Sequence, residues 1–438
     1  MTDVTLVEPR WVIPIEPAGA VLESHAVVLR GERVDAVLPL AEAHARYRRA
    51  ARVTLPTHAL LPGLINLHTH AAMALLRGIA DDLPLKAWLT EYIWPAEARH
   101  VSAGFVEAGT LLAAAEMLRG GTTCFHDMYF FPEAAARAAG RAGIRAILGL
   151  VILEFPTAYA RHPDEYFARA REAHAALKAT PRICCSVAPH APYSVSDASF
   201  TRSVALAEEF DIPLHVHVHE TEDEIAESLA EHGRRPLARL DALGVVTDRL
   251  IAAHCVHLEA DERDLLADRG AAVAHCPAAN LKLASGFAPV ADLIARGITV
   301  GIGTDGAASN NRLDLWSEMR LAALVAKAVA GRADAVPAHH ALAMVTREAA
   351  RALRLDAELG SIAPGKQADL VAVDLGAPEL QPCFDPVSHL VYAAGREHVT
   401  HVWVAGRPVV VDRVLQTVAV DEVAAAADEW GGRLGRGA

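Results

Sequence analysis

Between residues 60 and 310 the chain alternates short runs rich in Val, Ile and Leu with Ala-rich amphipathic stretches. Short runs that are apolar throughout suit strands buried on both faces, and their alternation with helical stretches predicts βα units around a parallel sheet. The predicted strands are Leu60 to His68, Thr122 to Asp127, Arg145 to Leu153, Arg182 to Pro189, Pro213 to Val218, Leu250 to His254, Ala272 to His275 and Thr299 to Thr304. Eight runs favour a closed (β/α)8 barrel over an open doubly wound sheet. Two intervening helices carry their own stop signals. Ala108 to Arg119 runs into Gly120-Gly121, and Asp261 to Asp268 stops before Gly270.

The flanks read differently. VTLVEPRWVIP and HAVVLRGERVDAVLP near the start, and QADLVAVDL and HVTHVWVAGRPVVV near the end, are short strand patterns broken by Gly and Pro turns. The expected fold class is therefore α/β, with a (β/α)8 TIM barrel over 59–362 and a small β-sandwich domain formed from both chain ends. That domain takes 1–58 and 363–438, including a C-terminal helix. A length of 438 residues accommodates one barrel of about 250 residues plus such a companion.

Composition narrows the function classes. An apolar content of 52% with 22% charged residues fits a compact chain without a disordered tract. A net charge of −13, from 41 basic and 54 acidic residues, offers no basic footprint for duplex DNA or an anionic membrane. Neither nucleic acid nor a membrane is an expected partner, a small-molecule substrate is, and homo-oligomerisation stays open. The opening MTDVTLVEPRW lacks the basic and apolar regions of a signal peptide, so a cytoplasmic location is expected. The six cysteines form no C-x-x-C and are expected to be buried free thiols.

The chemistry concentrates at strand ends. His68 and His70 are two residues apart, so on a strand both imidazoles share one face and can meet one ion. Two histidines alone serve equally well as core or surface residues. Similar ends recur, however: PLHVHVHE offers His215, His217 and His219 on one face followed by Glu220, IAAHCVH offers His254, and VGIGTDG offers Asp305. All lie at the C-terminal ends of predicted strands, where barrel enzymes build their sites. Glu220 is three residues beyond His217, so the strand must end or twist near Val218 if both act at one centre. That parity suits a carboxylate that is not a ligand but moves a proton for a metal-activated water. Three histidines and Asp305 would hold the ion, expected to be zinc, and leave one position open.

The motifs LPGLINLHTHAAM, HVHVHETEDE, AAHCVHL, CPAANLKLASG, GIGTDGAASNNRLDLWSEMR and GSIAPGKQADLVAVDL together resemble the amidohydrolase superfamily, in its chlorohydrolase and nucleoside-deaminase branch. Within that branch the likeness is strongest to deaminases of 5-methylthioadenosine and S-adenosylhomocysteine. The resemblance spans nearly the whole chain. It implies that His68, His70, His217 and Asp305 are metal ligands, that Glu220 is the proton shuttle, and that His254 polarises the attacking hydroxide. It also implies that Asp305 doubles as a base. Relatives holding two ions commonly bridge them with a modified lysine at the end of strand four. Here that end reads SVAPH, so one divalent ion per subunit is expected.

Three residues bear on substrate through the same resemblance. Glu97, in EYIWPAEARH, matches a glutamate that accepts ribose hydroxyls, His190 in APHAPYSVS matches a second substrate contact, and Arg161 in FPTAYARHPDEY is placed to fork a homocysteine carboxylate. Ala279 departs from the family pattern, which has serine there, and this bears on the loop after strand seven. The implied activity is hydrolytic deamination of a 6-aminopurine nucleoside. The rivals are a guanine or cytosine deaminase or triazine chlorohydrolase of the same branch, which would give Glu97 no ribose to clamp, and a non-catalytic barrel scaffold. His257 and His275 are read as loop or core histidines, Cys184-Cys185 as packing, and His126-Asp127 as candidates to line the pocket.

Overall fold

A computed structural model of the protein describes residues 4–435; the outermost residues of the expected terminal domain, 1–3 and 436–438, lie outside the described residues. Strands β1 (Val4–Val12), β2 (Leu22–Glu23), β3 (His25–Arg30), β4 (Arg33–Pro39) and β5 (Ala51–Pro62) come first. The barrel strands follow as β6 (Leu64–Thr69), β7 (Thr122–Asp127), β8 (Arg145–Ile152), β9 (Ile183–Pro189), β10 (Leu214–Val218), β11 (Leu250–His254), β12 (Ala272–His275) and β13 (Val300–Ile302). The chain then adds β14 (Leu370–Asp374), β15 (Val399–Val404), β16 (Arg407–Val411) and β17 (Val414–Leu415), and a helix over Val420–Leu434.

The eight barrel strands form one parallel sheet in sequence order. Six of them, β6, β7 and β10–β13, are buried along their whole length, which is why they read as unbroken apolar runs rather than as alternating ones. The seam between β13 and β6 is not a regular ladder. It is joined by Thr304 and Asp305 N–H groups donating to the His68 carbonyl at 3.1 and 3.0 Å, and by Asn66 Nδ2 donating to Thr304 Oγ1 at 2.8 Å. Gly303 makes this approach possible: a Cβ there would lie 2.7 Å from His68 Cβ and 2.8 Å from its backbone N and O.

The two chain ends share a nine-stranded sheet, ordered β17-β16-β15-β14-β5-β1-β3-β4 with β2 beside β1. Strand β5 is the join, parallel to β1 and antiparallel to β14. The β3–β4 hairpin folds back, with Val34 N–H donating to Lys366 O and Gly365 N–H to Val34 O. The sheet thereby wraps over Val27, Leu29, Leu55, Leu370 and Trp403.

The structure divides the strand expected over Leu60 to His68. Leu60, Leu61 and Pro62 end β5 and pair with β14, whereas β6 begins at Leu64. Both halves are equally apolar, so hydrophobicity does not mark the crossing. Gly63 does: a Cβ there would sit 2.1 Å from Thr123 Oγ1, leaving room only for glycine where the chain changes sheets. The helix expected from Ala108 starts earlier, at Ala103, because Ser102 caps it by accepting from Phe105 N–H. The helix Ala260–Arg269 ends at Gly270 in the left-handed conformation, φ 69°. Among the described residues no single helix is long and apolar enough to cross a membrane.

We expect Gly303→Ala to cost about 1–3 kcal/mol, the usual penalty of overpacking. Thermal unfolding checks it; a Tm equal to that of the parent chain would show that the seam has slack.

Candidate metal and catalytic site

Four strand ends converge at the seam. His68 and His70 leave β6, His217 stands in β10, His254 ends β11, and Asp305 follows β13. The His68 and His70 ring centroids are 4.9 Å apart, His68 and His217 also 4.9 Å, and His217 and His254 5.4 Å. Asp305 Oδ1 lies 3.2 Å from His70 Nε2 and 3.4 Å from His68 Nε2, and its Oδ2 accepts from Ser309 Oγ at 2.6 Å.

The donors are oriented from behind. Nδ1 of His70 bonds the Met128 carbonyl at 2.6 Å, Nδ1 of His217 the His190 carbonyl at 2.8 Å, and Nδ1 of His254 the Asn280 Oδ1 at 2.8 Å. An oxygen acceptor requires a proton on Nδ1, so Nε2 is the atom each of these rings would offer an ion. His68 Nε2 is buried with no hydrogen-bond partner, while its Nδ1 faces His215 Nε2 at 2.9 Å. Burial pushes His68 down to about 4 and His217 well below the ordinary histidine range, so both are neutral and able to ligate near pH 7. Ligand atoms of His68, His70 and Asp305 lie within 4.8 Å of one another, as do those of His68, His217 and His254. This donor set, nitrogen-rich with one carboxylate, fits a divalent zinc ion.

Left-handed backbone at non-glycine residues marks the exits: His219 at φ 54°, His254 at φ 71°, Cys255 at φ 49° and Asp305 at φ 59°. Such conformations cost of order 1–3 kcal/mol each and persist only where the surroundings hold them. Here Cys255 N–H donates to Val218 O, and the Glu224 carboxylate accepts the N–H groups of His219 and Glu220 at 2.9 and 2.8 Å. β10 ends at Val218 and the turn at His219 brings Glu220 round to the His217 side, as the parity of the motif requires. Glu220 Oε2 reaches within 3.8 Å of His254 Nε2, and burial raises its carboxyl above the usual range.

One cavity of about 260 Å³ opens over these groups. It is lined by His70, His217, Glu220, His254 and Asp305, and also by Glu97 and His190. Glu97 sits on the helix Trp94–His100 and accepts from Tyr129 Oη at 2.6 Å; burial pushes its carboxyl up to about 7. The His190 ring bonds Ser194 Oγ at 2.9 Å and is held neutral by burial, which lowers it to about 3. Arg161 is not brought to this cavity. Its side chain is 82% exposed and pairs with Glu165, four residues on along the chain.

The remaining polar candidates serve as support. His215 is buried beneath His68 and stacks on His126 at 3.9 Å, while His126 bonds Ser186 Oγ. Asp127 accepts from Ala71 N–H, so neither member of the His126-Asp127 pair lines the cavity. At Ala279 the loop is held instead by Ala278 N–H donating to the buried Glu318 at 3.0 Å. His275 is buried, and His257 bonds the Ser285 carbonyl. Cys184 and Cys185 are free thiols, the first exposed and the second buried. Sequence reasoning missed Asn280, Ser309, Tyr129 and Glu224; Asn280, Ser309 and Glu224 lay inside quoted motifs, but their side-chain bonds were not read from them, and Tyr129 lay outside every motif.

Comparison with known proteins agrees with this geometry. The Amidohydrolase family matches residues 59–409. The chain is 45% identical over 442 residues to a 5-methylthioadenosine/S-adenosylhomocysteine deaminase of Teredinibacter turnerae, covering 99% of each. It is 44% identical to a 5′-deoxyadenosine deaminase of Methanothermobacter thermautotrophicus, covering 84% of this chain and 86% of that one. The crystal structure of an adenosine deaminase from Xanthomonas campestris with bound zinc superposes with a TM-score of 0.97 at 51% identity, over 99% of this chain and 98% of that one. With the barrel, the buried histidine–aspartate cluster and these likenesses in agreement, the chain belongs to the amidohydrolase family.

Proposed function

We propose that the protein is a hydrolytic deaminase of 6-aminopurine nucleosides that converts 5-methylthioadenosine, S-adenosylhomocysteine or adenosine to the inosine analogue and ammonia. One observation carries this reading: Glu97, suited to accept ribose hydroxyls, and Glu220, suited to move a proton, face one cavity with His254 and Asp305. The names of the relatives at 44–45% identity support the same substrate class.

His68, His70, His217 and Asp305 would hold one zinc ion, and His254 lies within ligand reach of the same centre. A bound divalent ion supplies an acidified water and Lewis-acid stabilisation of the attack on C6. The protein does the rest. The raised carboxyl of Glu220 is poised to hand a proton to the purine ring nitrogen and to take one back. His254, fixed through Nδ1 by Asn280, presents Nε2 toward Glu220 and the reacting oxygen. Asp305, steadied by Ser309, is an acceptor for the proton released on attack. The apolar walls exclude competing water.

Glu220→Gln should keep its metal content and lose about 10²–10⁴-fold in turnover; near-parental ammonia release from that variant would sink the assignment. A second expectation concerns pH. Only an ionised Glu97 accepts two hydroxyl protons, and its carboxyl is raised to about 7 by burial, so the protonated form gains as pH falls. We therefore expect kcat/KM on nucleosides to drop below about pH 7. Glu97→Gln should remove that inflection and lower kcat/KM at pH 8 by roughly 10- to 100-fold, as for a lost hydrogen bond of about 1.5–3 kcal/mol to a charged group. An unchanged pH profile in that variant, or full activity of it on a free base alone, would favour a branch member whose substrate has no ribose.

A further inference from the structure

The deaminase reading leaves the 5′ substituent open, and the walls of the site address it. Among the described residues the acids lining the catalytic cavity are Glu97, Glu220 and Asp305, and no lysine or arginine lines it; its basic groups are imidazoles, and His70 is already paired with Asp305. Its other walls are largely apolar, with Trp88, Leu153 and Phe155 among them. Arg161, the one cation the sequence offered for a homocysteine carboxylate, is committed to Glu165 through both its backbone N–H and its guanidinium.

A second cleft adjoins the cavity and could take a substituent too long for it. Past Leu85, Leu89, Trp94 and Tyr193 lies an adjoining cleft of about 570 Å³ that shares those four residues. Its wall carries Glu222, Asp223, Glu224 and Glu227 against the single cation Lys86, and Lys86 is already paired with Glu227. Glu224 is turned inward to its two backbone donors, so the outer three acids set the sign of this mouth. Of a zwitterionic amino-acid tail only the α-ammonium finds counter-charge there; its α-carboxylate meets like charge and no cation that is not already paired, and burying it against the inner walls would strip its water without compensation.

We infer that this site selects nucleosides with a small uncharged 5′ substituent, such as a methylthio group, hydrogen or hydroxyl, and discriminates against an amino-acid tail. The inference rests on the nucleoside-deaminase reading and narrows it. A methylthio group gains from the apolar wall what a carboxylate loses there.

The test measures kcat/KM by ammonia release for 5-methylthioadenosine, 5′-deoxyadenosine, adenosine and S-adenosylhomocysteine with the zinc-loaded full chain. We expect S-adenosylhomocysteine at no more than one tenth of 5-methylthioadenosine, a gap of at least about 1.4 kcal/mol. A ratio above one tenth overturns the inference while leaving the deaminase reading intact. If in addition Lys86→Ala selectively lowers the S-adenosylhomocysteine value, the tail is held at the cleft. Ammonia from none of the four substrates removes the deaminase reading and the inference with it. Ala158 is exposed on the cavity wall and tolerates a longer side chain, so Ala158→Arg provides the complementary arm. It should raise the S-adenosylhomocysteine to 5-methylthioadenosine ratio at least threefold, and an unchanged or lower ratio would show that missing positive charge is not what sets the preference.

Discussion

The closure of the barrel between its first and last strands is the contact on which the site depends. His68 and Asp305 are far apart along the chain, yet both stand at the seam where the His68 carbonyl accepts the N–H groups of Thr304 and Asp305. The bonds that close the fold are therefore the bonds that set the distance between a histidine pair and its carboxylate. Gly303 is the concession that permits it, because any side chain there would meet the His68 backbone. The left-handed turns at His219, His254 and Asp305 extend the same economy: each strand stops abruptly, and its last polar side chain is delivered inward rather than along the sheet.

Burial then decides protonation. A cluster of imidazoles in a low-dielectric interior cannot hold several positive charges, so His68, His190, His215 and His217 are all pushed toward the neutral form. His70 is the exception, raised to about 9 because the Asp305 carboxylate outweighs its burial. The carboxylates divide in the same way. Asp305, beside two imidazoles, is held well below its usual range, whereas Glu220 and Glu97, with fewer cationic neighbours, are raised. A carboxylate held anionic and one held closer to its acid form are thus separated by surroundings alone, the division of labour that the proposed hydrolytic site would need.

Much of this was legible in the sequence because strand periodicity carries it. Residues two apart on a buried strand share a face, so HTH and HVH announced their common centre, and the odd offset of Glu220 announced the turn found at His219. Barrel strands were legible because burial on both faces leaves nothing but apolar runs. The crossing at Gly63 was not, since the residues on either side are equally apolar and the signal is a steric contact with Thr123. Asn280, Ser309 and Glu224 were hidden for a related reason. Asn280 becomes functional through His254 on another strand end, while Ser309 and Glu224 reach back only four or five residues, to Asp305 and to the His219 and Glu220 N–H groups, across turns whose shape the apolar pattern does not announce.

Arg161 shows the limit from the other side. Guanidinium chemistry suits a carboxylate, and the residue lies in the loop after the third barrel strand, a place from which barrel loops often reach substrate. Yet Glu165, one helical turn on, takes the guanidinium and the backbone N–H together and turns the side chain to solvent. Glu97 has the opposite history. On its helix it reads as a surface acid, but the π-helical turn Trp88–Ile93 and Pro95, which has no N–H to donate back along the helix, reshape that segment. The carboxylate ends up beside Tyr129, in the cavity that the histidine- and aspartate-bearing strand ends also line. Ligands on rigid strands therefore define the reaction, while the choice of substrate rests on the loop-borne walls around it, where local competition for each charge decides what a sequence motif alone leaves open.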